Sequence, residues 1–213
     1  MAGARRSGRR GGQSLSFSNR ELRDLAVAWT VLSAAFAVFL TGPSAIGAAG
    51  FVDVVVLCIV TVGVGFMLHE LAHKVVAVRF GQLAEFRADY SMLFLALMGA
   101  FIGFIFAAPG AVYHRGRITP RENGLIAVAG PVTNLLLAAI FLPLAFAPIE
   151  FLASVGAFGV FINVFLAAFN MIPFGPLDGK TVIAWSKLVF VAVFGVSAVA
   201  AYLAFTRLGW LPV

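Results

Sequence analysis

The sequence predicts an all-α membrane protein: a polytopic bundle of five to six transmembrane helices with a re-entrant or membrane-dipping segment at 91–112. Three observations predict it. Of 213 residues, 62% are hydrophobic and 11% charged, with a mean hydropathy of +1.02, which leaves too little polar surface to cover a water-soluble globule. Apolar stretches approaching the ~20 residues that a spanning helix needs lie near 24–40, 51–78, 91–112, 124–147, 151–172 and 182–206. Basic residues gather in the tails and short connections, where they report orientation.

Residues Met1 to Asn19 are rich in Gly, Ser and Arg and are predicted to be disordered. They form a basic cytoplasmic tail, 1–20, ahead of a single transmembrane domain, 21–213. The first apolar run is longer than a signal-peptide core and lacks a clear small-residue cleavage site, so it is read as an uncleaved helix. Arg5, Arg6, Arg9, Arg10, Arg20 and Arg23 precede it, which places the N-terminus in the cytoplasm and runs this helix outward. The uncharged connection Thr41 to Gly50 then suits an external loop, and the second helix returns inward to end near Arg79 and Gly81.

The stretch 91–112 is flanked by Arg79 and Arg87 on one side and by Arg115, Arg117 and Arg121 on the other. Both ends therefore belong on the cytoplasmic side, and Gly99, Gly103, Pro109 and Gly110 allow the chain to bend between them. Non-helical backbone at membrane depth must be shielded by protein or line a wet cavity. The helix at 124–147 runs outward, Pro148 to Glu150 turn, and 151–172 returns, so that Lys180 and Lys187 lie on the cytoplasmic side before a last helix leads to Arg207. The expected location is a cell membrane, multi-pass. The formal charge of +6 is read as topology signal, because no nucleic-acid motif or aromatic interleaving accompanies it. Cys58 is the one cysteine, so an internal disulfide is excluded.

Within the second apolar helix stands His69-Glu70-Leu71-Ala72-His73. Residues four apart share a helix face, so two imidazoles can converge on one metal ion while Glu70 stands beside the water. With three His and five Glu in the chain, such a match arises by chance in about one chain in a thousand. Polar groups in hydrocarbon are also expensive without a partner. Catalytic zinc takes three protein ligands and one water. The metzincin extension fails at Val76 and Arg79, leaving Glu85, Asp89, His114, Glu122, Glu150 and Asp178 as third-ligand candidates. Asp178 is favoured over its main rival, His114. It follows the segment Asn170 to Leu177, where Pro173, Gly175 and Pro176 interrupt the helix, and parity places it at the depth of His69 and His73.

These residues resemble the site-2 protease family of intramembrane zinc metalloproteases, peptidase family M50, in a compact form without a PDZ or CBS domain. His69-Glu70-x-x-His73, the later N-x-x-P-x-x-x-L-D-G segment at Asn170 to Gly179, and Gly130-Pro131-x-x-Asn134 between them follow that family's pattern in order. Together they anchor a catalytic core of about 51–180. The linker between His73 and Gly130 is more hydrophobic than the compact form leads one to expect. The resemblance implies one zinc ion per chain held by His69, His73 and Asp178, Glu70 as general base, and Asn134 near the active centre, bonded to substrate or to the developing oxyanion. It implies Asn170 as support for the broken backbone, whereas Asn163 is read as a helix-packing amide. The implied reaction is hydrolysis of peptide bonds within or near the transmembrane helices of membrane-anchored protein substrates. The alternative reading is a metal- or proton-translocating transporter using the same ionisable residues.

Overall fold

The computed structural model describes residues 14–105 and 109–208; most of the basic tail lies outside them. Among the described residues five helices are long and apolar enough to cross a membrane: Asn19–Thr41, Phe51–Arg79, Pro120–Phe146, Glu150–Asn170 and Lys187–Arg207. This is the helical membrane bundle the sequence predicts, with one departure from an all-α fold. A two-stranded antiparallel sheet joins β1 (Leu83–Ala88) to β2 (Gly110–Arg115).

Helix α1 (Asn19–Thr41) begins where the Ser18 hydroxyl accepts from the Glu21 amide at 3.1 Å, a standard N-terminal cap. The second span is two helices, α2 (Phe51–Cys58) and α3 (Val64–Arg79), fused through one π turn, Ile59–Gly63. A π turn leaves a carbonyl without its helical partner, and the Trp29 indole of α1 donates to that of Ile59 at 3.1 Å. The extra residue also rotates α3 about the shared axis by roughly 100°, which sets the direction in which its His69 face points.

The segment after α3 returns to the side from which it starts. The chain leaves β1 into α4 (Tyr90–Phe101) and is back beside its starting point at β2, because Ala88 pairs with Gly110. This helix has 12 residues, about 18 Å at the usual rise against the ~30 Å of a bilayer core. The segment doubles back and does not cross. Asp89 caps α4 by accepting from the Met92 amide at 3.0 Å, and the Tyr90 hydroxyl donates to Asp24 of α1 at 2.7 Å.

The start of the chain is strapped to this hairpin. Lys74 of α3 and Glu21 of α1 form a fully buried ion pair. The Lys74 ammonium also donates to the Ser16 carbonyl at 2.6 Å and sits 3.9 Å from the centre of the Phe17 ring, while the second Glu21 oxygen accepts from the Phe86 amide of β1 at 3.0 Å. Removing one partner of a buried pair strands the other charge, at a cost of about 3–5 kcal/mol. Lys74→Met should therefore unfold at clearly lower temperature or denaturant than wild type in detergent. A melting curve that does not move would show the pair to be dispensable.

Helix α5 (Pro120–Phe141) starts with a capping box between Thr119 and Glu122 and Pro120 at its first position. It packs between α3 and α6 (Glu150–Asn170). After the irregular stretch 171–177 the last apolar run divides at Ser186 into α7 (Asp178–Trp185) and α8 (Lys187–Arg207). The sequence expectation of one helix from 182 is corrected here: Ser186 leaves the helical conformation and caps α8 through the Val189 amide at 3.3 Å.

Candidate metal centre

His69 and His73 occupy one face of α3 a single turn apart, with ring centres 4.7 Å from each other and planes at 82°. Asp178 is the first residue of α7, delivered by the proline-broken stretch that comes after α6. Its Oδ2 lies 3.2 Å from Nε2 of His69 and 3.4 Å from Nε2 of His73. Two ligands of a tetrahedral zinc ion at the usual ~2.0–2.1 Å bond lengths stand roughly 3.3 Å apart, so the spacing fits. The same Oδ2 is buried and has no hydrogen-bond partner. A buried carboxylate oxygen without a partner is costly, and a cation between the three donors would satisfy it.

The imidazoles are oriented for this task from behind. Nδ1 of His69 faces the Asn134 Oδ1 at 2.5 Å, and Nδ1 of His73 faces the Ile126 carbonyl at 2.7 Å. Both partners belong to α5 and can only accept, so each Nδ1 carries the hydrogen and each Nε2 keeps its lone pair for a metal. This requires close approach of α5 to the rings. A Cβ at Gly130 would stand 2.5 Å from Nε2 of His69 and 2.6 Å from Nε2 of His73, closer than non-bonded atoms tolerate. Gly130→Ala should therefore displace both rings and weaken zinc binding by ~10-fold or more, measured by chelator competition; unchanged affinity would contradict this packing.

Comparison with known proteins agrees with this chemistry. A Methanocaldococcus jannaschii protein provisionally named zinc metalloprotease MJ0611 is 42% identical over 181 residues, covering 83% of this chain and 90% of that one. The Bacillus subtilis protein YwhC, also provisionally named a zinc metalloprotease, is 35% identical over 145 residues, 59% of this chain and 66% of its own length. Rip2 of Mycobacterium tuberculosis, named likewise, is 35% identical over 133 residues, 54% of this chain and 51% of its own. The chain belongs to the site-2 protease family, M50. No family model matches it, and no solved structure is significantly similar.

The family's cofactor is zinc, and among the described residues His69, His73 and Asp178 form the group that could hold it. The protein is thus a membrane metalloprotease, and a transporter is not favoured. Glu70 is buried beside the two histidines, and β2 packs against the helix that carries it. The hairpin therefore packs against α3, a contact no sequence motif announced.

The other third-ligand candidates have different partners. Glu85 is paired with Arg87 at 2.5 Å and accepts from the Ser18 hydroxyl; Asp89 and Glu122 cap helices; Glu150 opens α6. His114 lies in β2 opposite Ala84, outside the donor cluster. Burial, and then the nearness of His73, hold its imidazole below the usual histidine range. Asn170 donates to the Leu166 carbonyl at 2.9 Å, finishing α6 just before the chain breaks.

Asn134 differs from expectation. It lies at the centre, but on the far side of His69 from Nε2, and both of its amide hydrogens are taken, one by the Gly65 carbonyl at 3.1 Å and one by Asn163 Oδ1 at 2.8 Å. With no exposed surface and no free donor, it is not arranged to bond an oxyanion. The resemblance implied Asn134 near the centre but not which side of the imidazole it would occupy.

Proposed function

We propose that this protein is an intramembrane zinc metalloendopeptidase of the site-2 type, hydrolysing peptide bonds within or near the transmembrane helices of membrane-anchored proteins. The observation that carries the reading is the convergence of His69, His73 and Asp178, from two separate stretches of chain, on one point inside a bundle of apolar spanning helices. Zinc held there supplies a Lewis acid that lowers the pKa of water and polarises a carbonyl. Glu70 takes the proton from the attacking water and returns it to the leaving amine. His69 and His73 hold their orientation through the α5 acceptors, and Asp178 closes the ligand set from α7.

A substrate helix has its carbonyls already hydrogen-bonded, so it must unwind locally before attack. Helix-weakening residues near the scissile bond should therefore favour cleavage. Water needs a polar route to the metal; a cavity of about 440 Å³ whose lining includes Asn123, Leu177, Lys180 and Thr181 lies at the start of α7, although Asp178 itself does not line it. The arginines ahead of α1, with Lys180 and Lys187, support a cytoplasmic N-terminus and a site toward that face of the cell membrane. Residues 21–213 work as a single transmembrane domain behind the tail 1–20.

The test is to reconstitute the protein in liposomes with a single-span reporter and to map the cut by mass spectrometry. Cleavage inside or at the edge of the reporter's apolar span, lost on zinc chelation and restored by zinc, is the expected result. Cleavage confined to the water-exposed part of the reporter would overturn the intramembrane reading.

A further inference from the structure

We propose that Asn163, which does not touch His69, is a positioning residue that fixes which nitrogen of His69 is left free for zinc. The inference rests on the reading of His69 as a zinc ligand. Asn163 lies in the middle of α6 with no exposed surface. Its Nδ2 donates to the Gly159 carbonyl at 2.9 Å, one turn earlier in the same helix. A carbonyl can only accept, so the Asn163 amide can sit in one orientation, with Oδ1 turned outward toward α5.

That oxygen accepts from Nδ2 of Asn134 at 2.8 Å, and the Gly65 carbonyl accepts the second hydrogen at 3.1 Å. Two acceptors on its nitrogen fix the Asn134 amide in turn, so its oxygen faces His69 Nδ1 at 2.5 Å. The hydrogen on His69 is then on Nδ1, and the lone pair is on Nε2. The chain has one direction throughout: a backbone carbonyl of α6 sets Asn163, Asn163 sets Asn134, and Asn134 sets the tautomer of His69. If the Asn134 amide turned over, a donor would meet Nδ1, the hydrogen would move to Nε2, and the ring could not ligate. Asn163 supplies one of the two bonds that resist that turn.

The backbone makes room for this relay. A Cβ at Gly65 of α3 would stand 2.7 Å from the Asn163 oxygen, so α3 meets the amide pair through bare backbone. A helix-packing amide would not need its bonds to run in a single sense across three helices, and here the bonds from Gly159 through Asn163 and Asn134 to His69 do.

The experiment measures zinc affinity of the full-length protein in detergent by chelator competition, for wild type, His69→Ala, Asn163→Leu and Asn163→Asp. Asn163→Leu keeps the volume and removes the acceptor, and is expected to bind zinc ~10-fold or more weakly, the range typical of a lost outer partner. In its protonated form Asn163→Asp can donate to Gly159 and accept from Asn134, so it is expected to bind within about threefold of wild type. In an Asn134→Leu background Asn163→Leu should add no further loss, because its route to His69 is already cut. If Asn163→Leu does not fold, Asn163→Ala is held to the same criteria. Wild-type affinity in Asn163→Leu, equal losses in the Leu and Asp variants, or losses that add across the Asn134 and Asn163 changes would each overturn the proposal. Should His69→Ala bind zinc as tightly as wild type, the metal-centre reading itself would fall, an outcome separable from all of these.

Discussion

Glu70→Gln should lower peptide hydrolysis by about 10²–10⁴-fold, the usual contribution of a general base, and leave zinc content unchanged. The amide has nearly the volume of the carboxylate, so the packing around residue 70 is preserved, but it cannot take a proton from water. Glu70 is not among the three donors whose atoms converge, which is why metal content and activity should separate. The measurement is cleavage of a membrane-anchored reporter alongside metal analysis of the same sample. A variant that cuts at the wild-type rate would remove Glu70 from the mechanism, and one that loses zinc would make it a ligand.

Asp178→Ala should reverse that pattern, losing metal and activity together. Its Oδ2 lies 3.2 and 3.4 Å from the two imidazole nitrogens, and without it only two protein ligands would remain where a catalytic site needs three. The fall in zinc affinity should exceed the ~10–100-fold that loss of an outer-shell partner costs. His114→Ala is the matched control, since His114 stands in β2 outside the donor group, and its zinc affinity should equal that of wild type. If His114→Ala releases the metal and Asp178→Ala does not, the third ligand is misassigned.

Much of the site was legible because its residues are bound by helical spacing. His69, Glu70 and His73 lie within five positions, and a period of 3.6 residues puts the two imidazoles on one face whatever surrounds them. Asp178 was legible for a different reason: the two prolines before it break the helix, and the charge pattern brings the ends of α3 and α6 to one side. Glu122 stayed among the ligand candidates on sequence, and only the structure shows it engaged in a capping box with Thr119 at the start of α5.

The sheet was not legible. Each strand has six residues, too short for alternation to stand out, and β2 merges at its start with the apolar stretch read as a membrane segment. The π turn at Ile59–Gly63 likewise leaves no mark in composition, because what stabilises its loose carbonyl is an indole 30 residues earlier. Lys74 reads as an isolated charge until Glu21 and the Ser16 carbonyl are brought to it.

By itself the sequence determined that this chain crosses a membrane several times and that a hydrolytic metal motif lies on one of its helices. Hydrophobic run length and i, i+4 spacing are local properties, fixed along the chain before any two segments meet. Tertiary structure alone decided that a β-hairpin packs against α3, that Asn134 stands behind His69, and that Asn163 is tied to it. A hydrogen bond between separate helices depends on their relative rotation and depth to within about an ångström, and an asparagine in an apolar run looks the same whether it orients a ligand or fills a gap between helices.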